Sequence, residues 1–247
     1  VAHRQVIQDI LGPLDLNLKD ISLSSSFLAG RKPKIYILPY ILFAIGLKSK
    51  LVIWIEDILS MFKHNRTEGE QISINNLYKK ALKPFDVNLR FTSEVMKDFI
   101  IPSRLLNKIA KLSFEEFLEF IPYDRRKLEY IRFLDLIHPL WQVIVLSQLN
   151  QDYYLSAMNT KKQLMLICKL GDFKRNIIFF PKLEIGGEGA GIYELGQRGN
   201  IFNSLSKEAV DYFYKFYLFA FPDQIKISAG KRKKELNSFL KKVYKTE

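Results

Sequence analysis

The run Leu51-Val52-Ile53-Trp54-Ile55 limits the folds open to this chain more than any other stretch. It is apolar without alternation and rich in β-branched and aromatic side chains. A strand written this way has to be covered on both faces, as crossover helices cover the centre of a parallel sheet. The residues before it complete the pattern. Ile21 to Phe27 reads as a Ser-rich strand, Ala29-Gly30-Arg31-Lys32-Pro33 as a turn, and Ile35 to Ile45 as a helix apolar on every face. Strand, turn, helix and strand make a βαβ unit. The chain is therefore predicted to build an α/β, Rossmann-like, doubly wound parallel sheet.

The same pattern continues downstream. Residues 63–70 form a polar loop, and Ile72 to Leu82 a helix with Leu77, Tyr78 and Leu82 inward and Lys79 and Lys80 outward. Val87 to Phe91 alternates as a strand, and Thr92-Ser93-Glu94 caps the segment after it. Residues 95–135 carry mostly helical patterns, broken at Pro102 and Pro122. An apolar helix through Leu136-Ile137-His138-Pro139-Leu140-Trp141-Gln142 leads to a short strand at 151–155 and a further helix reaching Leu170.

Charge narrows the class of partner. The chain holds 38 Lys and Arg against 26 Asp and Glu, a formal charge of +12. That excess favours a polyanion, nucleic acid before an anionic membrane surface. No membrane span is expected: the longest apolar run, Ile35 to Leu47, holds about 13 residues where a span needs about 20. The lone Cys168 rules out a disulfide within the chain and a thiolate zinc site, and it reads as a buried structural thiol. Neither a metal nor a cofactor is expected. A first residue of Val in place of Met leaves room for a preceding organelle-import segment.

Three stretches carry cations or rings that bear on such a partner. Arg125, Arg126 and Lys127 form either a solvated helix start or a phosphate-contacting patch. Glu208 to Pro222 is a helix dense in Tyr212, Phe213, Tyr214, Phe216, Tyr217, Phe219 and Phe221. Core packing is its first reading and base stacking its second. The last helix carries Lys231, Arg232, Lys233, Lys234, Lys241, Lys242 and Lys245 beside a stripe of Leu236, Phe239, Leu240 and Val243. Its cations are either a solvated face or RNA contacts that release counterions.

Over roughly residues 21–205 the order of elements resembles the catalytic core of the tyrosyl-tRNA synthetases. Gly30-Arg31-Lys32-Pro33-Lys34-Ile35-Tyr36 stands where that family carries a Gly-Lys-Pro-His-x-Gly-His-type turn, with Lys34 in place of the ATP-gripping His. Trp54-Ile55-Glu56-Asp57-Ile58-Leu59-Ser60 matches a strand ending in Ala-Asp-Leu-His-Ala and keeps Asp57. His138-Pro139-Leu140-Trp141-Gln142 matches Tyr-Pro-x-x-Gln, with Val145 at an Asp position. Ala157-Met158-Asn159-Thr160-Lys161-Lys162 matches a Gly-x-Asp-Gln-Arg-Lys turn and keeps only the basic pair. Beyond Pro181-Lys182 and before Gly199-Asn200-Ile201, the Lys and Ser of a Lys-Met-Ser-Lys-Ser-type loop are missing. Gly186-Gly187-Glu188-Gly189 also lacks the Lys-Ser/Thr of a P-loop.

The resemblance implies vestigial ATP and tyrosine positions at Lys34, Asp57, His138, Gln142, Asn159 and Thr160. Ile35 and Tyr36 would crowd a backbone approach to phosphate, and Val145 cannot anchor an ammonium. No catalytic residue is expected. The expected division is a synthetase-like body over 1–205, with a helical insertion at about 95–135, and a reduced helical C-terminal region with a basic tail over 206–247. The expected function is a non-catalytic, RNA-binding or structural component of a ribonucleoprotein such as a mitochondrial ribosome. Its partners are then rRNA or tRNA and other ribonucleoprotein subunits, with a homo- or heterodimer allowed. Its compartment is an organelle matrix, or otherwise the cytoplasm. The alternatives are a divergent active synthetase, in which Lys34, Gln142 and Lys182 have taken over, and a pseudoenzyme partner of an active synthetase.

Overall fold

A computed structural model describes residues 21–95, 103–120, 133–147, 150–171, 176–181, 194–196, 200–224 and 228–245. The double-sided burial expected of residues 51–55 is realised in β2 (Lys50–Glu56). It pairs in parallel with β1 (Ser22–Leu28) on one side and β3 (Asn88–Phe91) on the other. With β4 (Tyr153–Ala157) and β5 (Asn176–Phe180), the strands among the described residues form one parallel sheet in the order β3-β2-β1-β4-β5. The order reverses between β1 and β4, as in a doubly wound Rossmann-like sheet.

Among the described residues, the helices of seven residues or more are α1 (Leu38–Leu47), α2 (Asp57–Lys63), α3 (Glu68–Leu82), α4 (Ser103–Ala110), α5 (Phe114–Phe120), α6 (Phe133–Ser147), α7 (Lys161–Gly171), α8 (Lys207–Ala220) and α9 (Ala229–Val243). None of them is long and apolar enough to cross a membrane.

Alternation along β2 explains the layers. Leu51, Ile53 and Ile55 join one core with side chains of α1, α3, α8 and α9. Val52 and Trp54 join a second core with Val143, Val145 and Leu146 of α6 and Leu164 and Leu166 of α7. The serines of β1 are tolerated in the interior because β4 satisfies them. Ser25 Oγ donates to the Leu155 carbonyl at 2.9 Å, and Ser26 Oγ lies 2.7 Å from the Tyr154 hydroxyl.

The aromatic helix α8 is core. Phe213, Phe216 and Phe219 are buried, with Phe216 stacked on Phe180 at 5.1 Å and Phe219 on Phe43 at 5.7 Å between centroids. Tyr212 and Phe221 are partly buried against the same core. The side chains that α8 and α9 bury belong to the cluster that also holds Leu23 and Ile53.

Local details depart from the sequence-based expectations. The polar loop is shorter than residues 63–70, because Thr67 and Glu70 form a capping box that starts α3 at Glu68. Leu77 is exposed, since α3 registers its buried face on Ile74, Tyr78, Ala81 and Leu82. Cys168 is exposed on α7, not buried.

Gly46 marks the closest approach of α1 to α8. A Cβ there would meet the Phe219 ring and come within 2.8 Å of the Phe219 carbonyl oxygen. Because the obstacle includes backbone, Gly46→Ala is expected to lower the unfolding free energy by about 2 kcal/mol. A urea denaturation midpoint unchanged from the parent protein would contradict the packing described.

Candidate functional site

In open parallel sheets, ligand sites form beyond the carboxyl ends of the strands, where the strand order reverses. Four elements converge there on the face covered by α6. Glu56 ends β2 and follows Val52 and Trp54 on that face, only 1% exposed. Ser26 of β1 and Gln142 of α6 lie beside it and favour its charged form, Ser26 meets Tyr154 of β4, and Glu56 Oε2 is buried without a hydrogen-bond partner among the described residues. His138, one helical turn before Gln142, places Nε2 3.8 Å from Glu56 Oε2. Burial pushes the Glu56 carboxyl above its ordinary range, outweighing Ser26, Gln142 and the nearby Lys63, which pull it down. His138 and Gln142, both marked in the sequence, are thus brought together by a residue that the motifs did not single out. The signal available for Glu56 was a carboxylate at the carboxyl end of an otherwise apolar strand.

Asp57 comes next in the chain and is also 1% exposed. Its Oδ1 accepts from Thr92 Oγ1 at 2.7 Å and from the Ser93 and Ile58 N–H groups at 2.9 and 3.0 Å. Its Oδ2 accepts from Asn75 Nδ2 at 2.8 Å and Ser93 Oγ at 2.5 Å. Thr92 and Ser93, expected to cap the segment after β3, donate their hydroxyls to this carboxylate. Asp57 joins the end of β2 to α3 and to the exit of β3.

The turn after β1 is closed from within. The Gly30 N–H donates to the Tyr78 hydroxyl at 3.0 Å, and Arg66 Nη1 donates to the Ala29 carbonyl at 2.8 Å. Ser60 Oγ also donates to that carbonyl. Lys34 is extended at the start of the 3-10 turn Ile35–Ile37 and forms an antiparallel bridge with Glu194. Ile35 is fully buried, and burial pushes the Tyr36 phenol up to about 12.

The remaining marked positions lie elsewhere. Val145 is 2% exposed inside the second core. Thr160 Oγ1 donates to the Ala157 carbonyl and lies 2.7 Å from Ser156 Oγ, closing the exit of β4. Asn159 sits in the 3-10 turn Met158–Thr160. On α9, Arg232 pairs with Asp211 at 2.6 Å and lies over the Tyr214 ring. Lys233 donates to the carbonyls of Asn203 and Leu205. Lys231, Lys234, Lys241 and Lys242 of α9 are exposed, as is Lys245 just beyond it. Arg125, Arg126, Lys127 and Lys182 lie outside the described residues.

The two buried carboxylates respond differently to substitution. Asp57→Ala strands the Thr92, Ser93 and Asn75 donors in the interior, and the fold is expected to lose about 3 kcal/mol or more, read by urea denaturation. Glu56 has a folded pKa above its unfolded one, so its stabilising contribution is full below the ordinary carboxylate range and is lost as pH rises through the raised value. Glu56→Gln cannot ionise. Its stability is expected to fall less than the parent's between mildly acidic and mildly alkaline pH, and parallel pH profiles would contradict the burial argument.

No protein-family model matches the sequence, and no curated protein matches it. Solved structures do. The tyrosyl-tRNA synthetase of Archaeoglobus fulgidus aligns with a TM-score of 0.69 at 11% identity, over 98% of this chain and 92% of that one. The tyrosyl-tRNA synthetase of Aeropyrum pernix aligns at 0.62 and 12% identity, over 99% and 90%. The tryptophanyl-tRNA synthetase of Plasmodium falciparum aligns at 0.60 and 10% identity, over 91% and 77%. Across nearly its whole length, the chain has the fold of a tyrosyl-tRNA synthetase-like class I synthetase.

Proposed function

We propose that this protein is a non-catalytic member of the synthetase-like fold that binds RNA as a structural part of a ribonucleoprotein, with an organellar ribosome as the assembly that best suits its charge. The observation that carries this reading is the inward commitment of the marked groups. The Gly30 N–H is held by Tyr78, both Asp57 oxygens by interior donors, and Val145 by apolar neighbours. A phosphate needs backbone donors that point outward, and an ammonium needs an anion within reach. The formal charge of +12 and the exposed lysines of α9 supply the attraction to RNA. In this reading residues 1–205 are the body, 206–247 a helical region with a basic end, and the compartment an organelle matrix.

A second reading, a divergent active synthetase, draws support from one observation. Glu56, His138 and Gln142 keep a buried polar cluster where the strand order reverses, and perturbed acids gather at functional sites. Tyrosine- or tryptophan-dependent ATP–pyrophosphate exchange separates the two. None is expected, and clear exchange would overturn the proposal. In native extracts the protein is expected to sediment with a large particle and to shift to lighter fractions after ribonuclease treatment. Co-sedimentation with an active synthetase instead would favour a pseudoenzyme partner.

A further inference from the structure

A cationic surface outside α9 lies at the carboxyl edge of the sheet, built by two turns far apart in sequence. The turn after β1 contributes Arg31, and the end of α2 contributes Lys63, His64 and Arg66. Arg31, Lys63 and His64 are exposed, and Arg66 is half-buried with its guanidinium anchored on Ala29, Ser60 and Gln71. Their charges act on one another. The His64 imidazole is held below its ordinary range, first by partial burial and then by Arg66, Lys63 and Arg31. Among the described residues the neighbouring acids only partly offset them: Glu70 is occupied in the Thr67 capping box, Glu194 pairs with Lys32 at 3.0 Å, and Glu68 is exposed.

Both turns are stapled to the body by the Tyr78, Ser60 and Arg66 hydrogen bonds, so the cations start from a fixed backbone. This surface is also separate from the basic end of α9. Tyr244 docks α9 on Ala81, at the far end of α3, whereas Arg66 and Thr67 lie at its start. Fifteen helical residues span about 22 Å, more than twice the Debye length of about 8 Å at physiological salt.

We infer that Arg31 and Lys63, with Arg66 behind them, form a phosphate-contacting surface for the RNA backbone, independent of the lysines of α9. This inference rests on the RNA-binding reading above and names the face that would serve it. The test is titration of the full chain with fluorescein-labelled poly(U) across a salt series. It compares the parent protein, Arg31→Gln/Lys63→Gln, and a control with equal charge loss, Lys48→Gln/Lys50→Gln, at the opposite edge of the sheet. Loss of two single-strand phosphate contacts is expected to make the log–log salt slope shallower by about 1.4 and to weaken binding about tenfold near 0.1 M salt. The control is expected to shift both much less.

Equal effects in the two double variants would overturn the surface while leaving RNA binding intact. No poly(U) binding by the parent protein would overturn both. Anionic phosphatidylserine vesicles are titrated in parallel. A defect of Arg31→Gln/Lys63→Gln on vesicles alone would assign the surface to membrane and overturn the inference.

Discussion

A strand that is apolar on both faces and runs into two consecutive carboxylates, Glu56 at its end and Asp57 at the start of α2, sets the terms for the rest of this structure. Burying β2 requires a helical layer on each side. Burying Glu56 and Asp57 at its end requires that nearby hydroxyls and amides be directed towards them. The two residues differ in how far that is met. Asp57 is bonded by α3 and the exit of β3, while Glu56 lies among Ser26 of β1, Tyr154 of β4 and Gln142 of α6. At Asp57 the carboxyl edge of the sheet, where related folds receive ligands, is therefore occupied by the protein's own polar contacts, while Glu56 Oε2 beside it has no hydrogen-bond donor among the described residues.

The C-terminal helices extend the body. Phe213, Phe216 and Phe219 of α8 fill the layer over α1 and β5, and Gly46 lets the two helices approach closely. Leu236 and Leu240 of α9 belong to the same buried cluster, and Asn237 accepts from the Phe202 N–H. That docking sorts the basic helix. Arg232 and Lys233 bond to neighbouring parts of the chain, and lysines on its outer face remain exposed.

Much of the scaffold is legible in the sequence, because burial on one face leaves a period and burial on every face leaves an unbroken apolar run. The unbroken runs at 35–45 and 51–55 accord with α1 and β2, and the strand patterns near 22–28 and 88–91 with β1 and β3. Helix registers are less legible. Leu77 and Cys168 are apolar residues on helices whose buried stripes run beside them, and hydrophobicity alone does not fix that rotation.

The candidate site divides along the same line. The sequence alone determined the fold class, the excess of positive charge and the replacement of charged or small groups at the positions that the resemblance marked, because each is a property of residue type and spacing. Only the tertiary structure decided which polar atoms are consumed. Asp57 is bonded by residues up to 36 positions away, and Glu56 lies among side chains from three other elements. Such partnerships depend on where strand ends and helix faces meet in space, and a local pattern carries no record of that meeting.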